Sequence, residues 1–156
     1  MLQEQPRNVD AIRCCLDTSG ARGQKAQCVA QVIRRCGYRW VGLYDVGPTE
    51  ISVIAWDGPG APTYPRFPIT SGLNGAAVAS CATVIVQDVT QDPRYLTTIG
   101  GTKAEMVVPV RNADGRVVGT IDVESDQIGA FTLEDQRFLE TCAEVMLPLW
   151  SGTAEV

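Results

Sequence analysis

The stretch KAEMVVPVRNADGRVVGTIDVES, residues 103–125, decides the fold. Two runs rich in β-branched and apolar residues flank the polar segment NADG, residues 112–115, which is typical of a tight turn between strands. A turn on these four residues makes Arg111 face Arg116 across an antiparallel ladder. The stretch therefore predicts a β-hairpin.

Three carboxylates share one face of this predicted hairpin. In the register just given, Glu105 lies directly opposite Asp122, and Glu124 follows two residues later on the same face. Directly opposed like charges destabilise a sheet by up to about 1 kcal/mol, so folding alone does not call for this arrangement. One interpretation is a solvated sheet face on which Lys103, opposite Glu124, offsets one charge.

The other interpretation of the three carboxylates is a cation site. Three acceptors around one point suit the three donors of an ammonium group. Mg²⁺ or Ca²⁺, which also bind oxygen ligands, are the less favoured alternative. Trp40 and Tyr44 lie four residues apart on one face of an earlier predicted strand, where their rings either attract a cation or pack in the core.

The rest of the chain predicts an α+β fold with an antiparallel sheet flanked by helices. Apolar residues recur at helical spacing over 24–36, and Gly37 follows as a stop signal. Thr132 and Asp135 stand three apart like a capping box ahead of the final helix. The other predicted elements are a short helix over 9–17, a strand hairpin over 39–46 and 50–58, a short helix over 71–80, a strand over 83–89, and loops over 58–65 and 90–101.

Length and charge exclude several classes of protein. The 156 residues fit one domain over 1–156, and 45% apolar with 20% charged residues is typical of a globular chain. The net charge is -5 and the 13 basic residues are scattered, so we expect no nucleic-acid partner. The start of the chain does not resemble a signal peptide and no apolar run reaches about 18 residues, so we expect no membrane partner and a cytoplasmic location.

Histidine is absent, which removes the commonest general base and the commonest metal ligand. Six cysteines show no C-x-x-C spacing, and we expect a cytoplasmic compartment to keep them reduced, mostly as small core residues. They are Cys14, Cys15, Cys28, Cys36, Cys81 and Cys142.

The motifs WVGLY, ITSGLNGAAV, QDV, EMVVPV, VVGTIDVES and GAFTLEDQRFLE occur in this order. Together they resemble a GAF domain, in particular the free methionine-(R)-sulfoxide reductase branch, over residues 25–150. The resemblance implies a central six-stranded antiparallel sheet. It also implies that the terminal helices pack on one face and that loops roof a ligand pocket on the other.

The resemblance also implies roles for individual residues. In that branch a Trp and a Tyr of the first strand line the pocket and acidic residues bind the amino group of a free amino acid. These roles fall on Trp40, Tyr44, Glu105 and Asp122, while Glu124 stands where the family usually has Asp.

The catalytic cysteines of the reductases align with Tyr64, Asn74 and Thr98, so the resemblance implies that all three thiols are missing. A hydroxyl or an amide cannot replace a thiolate that attacks sulfur and then forms a disulfide. Cys81 is the remaining nearby thiol, and it has no paired base.

We therefore expect a small-molecule-binding GAF domain, sensory or regulatory, for an ammonium-bearing ligand such as a free amino acid. We expect no thiol reductase activity, catalytic residue, bound metal or cofactor. The expected ligand-binding residues are Trp40, Tyr44, Tyr64, Asn74, Thr98, Glu105, Asp122 and Glu124.

Three further expectations complete this interpretation. One alternative function is a reductase that uses Cys81. Another is a receptor for a small anion at the helix start near Leu73, which the three carboxylates would oppose. We also expect a homodimer through the terminal helices, because Leu147, Leu149 and Trp150 continue the apolar pattern to the end of the chain.

Overall fold

The computed structural model describes residues 7–150 and has an α+β fold built on one six-stranded antiparallel sheet. This confirms the sheet that the family resemblance implies. The strands are β1 (Trp40–Val46), β2 (Glu50–Asp57), β3 (Arg66–Pro68), β4 (Val84–Val86), β5 (Ala104–Arg111) and β6 (Val117–Ser125), in the spatial order β3-β2-β1-β6-β5-β4. The α-helices are α1 (Asp10–Leu16), α2 (Arg22–Arg34), α3 (Gly72–Ser80) and α4 (Leu133–Val145).

The hairpin β5–β6 forms as predicted, but its register is shifted by two residues. The Asn112 N–H donates to the Arg116 carbonyl at 2.9 Å, which lengthens the turn by one residue. A bulge at Val118 adds a second residue, because Arg111 pairs with Val117 whereas Val110 pairs with Gly119, which leaves Val118 without a cross-strand partner.

The shift corrects two sequence predictions without changing the face of the acids. Glu105 lies opposite Glu124 rather than Asp122, and Asp122 lies opposite Val107. Because side chains alternate with period two, a shift of two residues leaves all three carboxylates on one face. Lys103 is exposed and donates its backbone N–H to Ser125, so it does not face Glu124 and the charge-offset interpretation is wrong.

One face of the sheet is covered by α1, α2 and α4, as the resemblance implies. Helix α2 packs on β1 and β2, and α4 packs on β5 and β6. Gly37 has a φ of 116°, a backbone conformation that glycine adopts easily, and it follows the end of α2. Alternate strand residues supply the core of this face, including Val41, Leu43, Met106, Val108, Ile121 and Val123.

The opposite face carries α3 and the long connections. Helix α3 packs on β4, β5 and β6 through Leu73 and Ala77. The sequence did not predict β3, a three-residue edge strand next to a proline-rich loop. The strand predicted over 83–89 ends at Val86, since the Asp88 side chain accepts the Thr90 N–H at 3.1 Å and starts a 3-10 turn.

The expectation that the cysteines are reduced is wrong for one pair. Cys15 of α1 and Cys28 of α2 form a disulfide bond. Cys142 is buried, as expected of a small core residue, whereas Cys14 and Cys81 are exposed. The spacing of the cysteines gave no signal for the pair, because it is the packing of α1 on α2 that brings them together.

The end of the described chain is more enclosed than the apolar pattern suggests. Leu149 and Trp150 are buried within the single chain, and Trp150 packs on Gly119, where a Cβ would lie 2.3 Å from its ring. These two residues therefore supply no exposed surface for dimerisation, and pairing of two chains stays a prediction. None of the helices within residues 7–150 has the length and hydropathy to cross a bilayer.

Candidate ligand site

The three carboxylates of the β5–β6 hairpin form one buried cluster. Glu105 is 2% exposed, and Asp122 and Glu124 are fully buried. One carboxylate oxygen from each residue lies within 4.8 Å of the others. Neighbouring strands explain this proximity, because Glu105 and Glu124 are cross-strand partners and Asp122 is two residues from Glu124 on the same face.

Three oxygens of the cluster have no hydrogen-bond partner among residues 7–150. They are Glu105 Oε2, Asp122 Oδ1 and Glu124 Oε2. In the same part of the chain, no Lys or Arg forms an ion pair with any of these acids. Since ionised carboxylates only accept hydrogen bonds, this buried cluster needs donors from protons or from a bound cation.

The remaining oxygens are held by neutral side chains. Asn74 of α3 donates its amide to Asp122 Oδ2 at 3.0 Å and accepts from the Thr120 hydroxyl at 2.6 Å. Thr102 donates its hydroxyl to Glu124 Oε1 at 2.7 Å. These contacts fix the orientation of the carboxylates but contribute no positive charge.

The environment raises the pKa of all three acids. Burial raises the pKa of Glu105 well above its usual range, and the charges of Asp122 and Glu124 raise it further. Burial and the charge of Asp122 raise the pKa of Glu124, an effect that the hydroxyls of Thr102 and Thr98 partly offset. Without a cation, the cluster therefore holds its protons to a higher pH than exposed carboxylates do.

Asp122 is the most acidic member of the cluster. Burial raises its pKa to about 6, and hydrogen bonds from Glu105, Asn74 and Glu124 limit the rise. Protonated Glu105 and Glu124 are thus the donors that stabilise an Asp122 carboxylate. Desolvation is the first cause for each acid, and repulsion between the acids, which the sequence predicts, comes after it for Glu105 and Glu124.

Trp40 and Tyr44 lie on the same sheet face as the acids, as predicted. Trp40 of β1 pairs with Glu124 of β6, and Tyr44 pairs with Thr120. Between them, Gly42 leaves room for both rings, because a Cβ there would lie 2.3 Å from Trp40 and 2.9 Å from Tyr44. Both aromatic residues also belong to an apolar cluster, so they combine core packing with a position beside the acids.

Two loops close over the acids. The Thr63 N–H and hydroxyl both donate to the Thr98 carbonyl, at 2.7 and 2.9 Å. The Trp40 indole donates to the Gly60 carbonyl at 2.9 Å. We call residues 58–65 and 92–102 the lid, since these contacts join the two segments to each other and to β1.

Beneath the lid lies a cavity of about 10 Å³, enough for roughly one water molecule. Glu105 lines it, together with the three residues at the expected thiol positions, Tyr64, Asn74 and Thr98. Tyr64 is 47% exposed and marks the outer wall, whereas Asn74 and Thr98 are buried. A ligand larger than water therefore requires the lid to move.

The structure brings the predicted residues together in two layers. Trp40, Asp122 and Glu124 form the buried layer, and the others line the cavity. The sequence analysis missed Thr102 and Thr120. Thr120 lies two residues before Asp122 on the same strand, so the alternation of side chains places it on the face of the acids and could have identified it. Thr102 lies at the end of a loop, where no periodic pattern indicates its position.

No cysteine lines this cavity in the described part of the chain. Cys81 is exposed and ends α3, about 10 Å along the helix from Asn74 at 1.5 Å per residue. The Cys15–Cys28 disulfide belongs to the helix-covered face of the sheet. The site thus presents carboxylates, hydroxyls, an amide and aromatic rings.

Comparisons with known proteins agree with this architecture. A free methionine-R-sulfoxide reductase of Saccharomyces cerevisiae is 31% identical over 109 residues, which cover 69% of this chain and 60% of that protein. A type II free methionine-R-sulfoxide reductase of Thermoplasma acidophilum superposes with a TM-score of 0.77 at 32% identity, over 82% of this chain and 91% of the other.

A reductase of the same name from Neisseria meningitidis, solved in complex with its substrate, gives a TM-score of 0.79 at 27% identity, over 90% of this chain and 83% of the other. The sequence profile of the GAF domain matches residues 26–146, well over half of the chain. The protein belongs to the GAF domain family.

Proposed function

We propose that this GAF domain binds a small ammonium-bearing molecule, such as a free amino acid, and does not reduce methionine sulfoxide. The observation that carries the proposal is the set of three buried carboxylate oxygens without donors. Burying ionised acids without compensation costs several kcal/mol, so the empty cluster holds protons, and a bound cation would allow the acids to ionise in place. An ammonium group supplies three N–H donors for these three oxygens.

The composition of the walls supports an organic cation. Burial is the first cause of the raised pKa of Tyr44, and the charges of the three nearby acids are the next. Tyr44 therefore lies close to the acids. Aromatic faces attract a desolvated cation by about 0.5–2 kcal/mol. The similarity to a reductase solved in complex with its substrate supports a small-molecule ligand for this fold.

The absence of reductase activity is proposed from the residues at the expected thiol positions. Tyr64, Asn74 and Thr98 all line the cavity and carry no sulfur. Asn74 instead uses its amide to bridge Asp122 and Thr120, a structural task that a thiol does not perform equally well. The exposed thiol of Cys81 lies outside the cavity lining.

Other ligands fit the site less well. Residues 72–74 at the start of α3 line the cavity and present a helix N-terminus, but an anion there would face the carboxylate cluster. Mg²⁺ and Ca²⁺ take six or more oxygen ligands, and the cluster offers three carboxylates and little space for water.

The test is calorimetric titration of the whole chain with pairs of free amino acids and their N-acetyl derivatives, beside Mg²⁺ and Ca²⁺. We expect at least one free amine to bind and its acetylated partner, which lacks the charge, to fail. Binding of the metal ions alone, or equal binding of both members of a pair, would contradict an ammonium site.

A second assay tests the proposed lack of catalysis. Oxidation of a dithiol reductant is followed in the presence of free methionine-(R)-sulfoxide. We expect no turnover above the uncatalysed rate. Turnover that disappears in Cys81→Ser would establish the reductase alternative instead.

A further inference from the structure

Helix α1 is held to the domain mainly by apolar packing on α2. It has seven residues, no side-chain cap at Val9, and two buried side chains, those of Ile12 and Cys15. Within residues 7–150, the hydrogen bonds of 10–16 stay inside the segment 8–18. Helices this short are not stable alone, so α1 depends on its packing against α2 and α4.

Two links besides this packing anchor the α1 segment to the rest of the fold. Arg7, three residues before α1, pairs with the buried Asp135 of α4 at 2.6 Å and lies 6.0 Å from the centre of the Phe138 ring, but this link holds the residue before the helix and not the helix itself. The other link is covalent, the disulfide between Cys15 and Cys28 of α2. The disulfide keeps α1 close to α2 even when the packing between the two helices opens.

We infer that the Cys15–Cys28 disulfide is a redox-controlled strap, whose reduction releases α1 from α2 and α4 while the sheet stays folded. Release uncovers the apolar surface that Ile12 and Cys15 occupy. The strap lies on the helix-covered face, and the carboxylate cluster lies on the other, so it acts independently of the proposed ligand.

The chemistry is an ordinary thiol–disulfide exchange with a dithiol reductant. Cys28 is the more exposed partner, so a thiolate of the reductant attacks its sulfur and Cys15 leaves as a thiolate. The second thiol of the reductant then displaces Cys28 and closes the reductant's own disulfide. Two electrons and two protons pass to the cysteines, and a disulfide oxidant reverses the reaction.

Hydrogen–deuterium exchange tests the strap on the whole chain in a Cys14→Ser background, where no neighbouring thiol competes for the disulfide. The protein is compared after treatment with oxidised glutathione and with dithiothreitol. We expect amides of 10–16 to exchange at least about tenfold faster after reduction, while those of β6 change less than about twofold. A Cys15→Ser, Cys28→Ser variant should behave like the reduced protein in both reagents.

Three other results would overturn the inference that the disulfide is a strap. Equal protection of 10–16 in both states would show that packing alone holds α1. Loss of protection throughout β6 on reduction would make the disulfide a global stabiliser rather than a local strap. Peptide mapping that finds no Cys15–Cys28 link in the oxidised protein would remove its basis.

Discussion

Asp122 is the central acid of the candidate ligand site. It is fully buried between Glu105 and Glu124, which donate to it when they are protonated, and the Asn74 amide donates to its Oδ2 at 3.0 Å. Its pKa of about 6 means that it is largely ionised at pH 7. The empty site thus carries a buried charge that a cation would neutralise.

Replacing this charge tests the role of Asp122. We expect Asp122→Asn to weaken binding of an amine by about 1–3 kcal/mol, because a charged hydrogen bond is lost. The free energy of unfolding of the empty protein at pH 7 should stay equal or rise, since a buried charge disappears. Calorimetry and chemical denaturation measure the two quantities, with the exposed Asp126→Asn as the matched control. Lower stability with unchanged binding would assign Asp122 to the fold alone.

Gly42 is required by the two aromatic side chains on either side of it. A methyl group at Gly42 would lie 2.3 Å from Trp40 and 2.9 Å from Tyr44, so Gly42→Ala must displace rings that are fully packed. We expect a loss of about 1–3 kcal/mol of stability by chemical denaturation. Gly100→Ala, where nothing lies within 4 Å, is the control. Equal effects of the two variants would show that the rings adapt freely.

At the scale of secondary structure, long elements with a strong periodic pattern were predicted correctly from the sequence. One short edge strand was not predicted. The final helix has the predicted capping box, with Thr132 and Asp135 bonded reciprocally at 3.2 and 2.8 Å. The edge strand β3 was missed because three residues are too few to show alternation. The register of β5–β6 was missed because neither the longer turn, closed by the Asn112–Arg116 hydrogen bond, nor the bulge at Val118 leaves a mark in the sequence.

The capping box gives a prediction at this scale. Thr132→Ala removes the acceptor of the Asp135 N–H, and we expect it to lower stability by about 0.5–2 kcal/mol. Thr141→Ala is a matched control, because Thr141 is exposed on the same helix and bonds only to the carbonyl one turn earlier. Thermal denaturation of both variants measures the difference. Equal stability of the two would show that the cap is dispensable.

At the scale of the whole molecule, the two faces of the sheet have different tasks. The face under α1, α2 and α4 holds the main apolar core, and the other holds the carboxylates, aromatic rings and lid. The sequence predicted this division through the family resemblance and strand alternation. It did not predict how far the lid closes, because hydrogen bonds such as Thr63 to Thr98 join distant loops.

The carboxylate cluster should make stability depend on pH. The pKa values of all three acids are raised in the folded state, to about 6 for Asp122. The folded protein therefore binds more protons than the unfolded chain, whose acids titrate near 4. The contribution of the cluster to stability is complete below about pH 4 and is lost as the pH rises through 6 and beyond.

Chemical denaturation between pH 5 and 8 measures this dependence. The free energy of unfolding of the empty protein should fall with rising pH, at no more than about 1.4 kcal/mol per unit for each acid. Glu105→Gln should flatten the curve, because one of the titrating groups is removed. A free energy that rises over this range would contradict a protonated cluster.

We propose that a bound amine replaces protons held by Glu105, Asp122 and Glu124, and proton release on binding measures that exchange directly. An amine that binds is titrated calorimetrically at pH 7 in two buffers with different heats of ionisation, beside Asp122→Asn. We predict that the apparent enthalpy differs between buffers in the direction of proton release, and that Asp122→Asn binds more weakly. Amine binding with the same enthalpy in both buffers would contradict the account, because the cluster would then have no protons to give up.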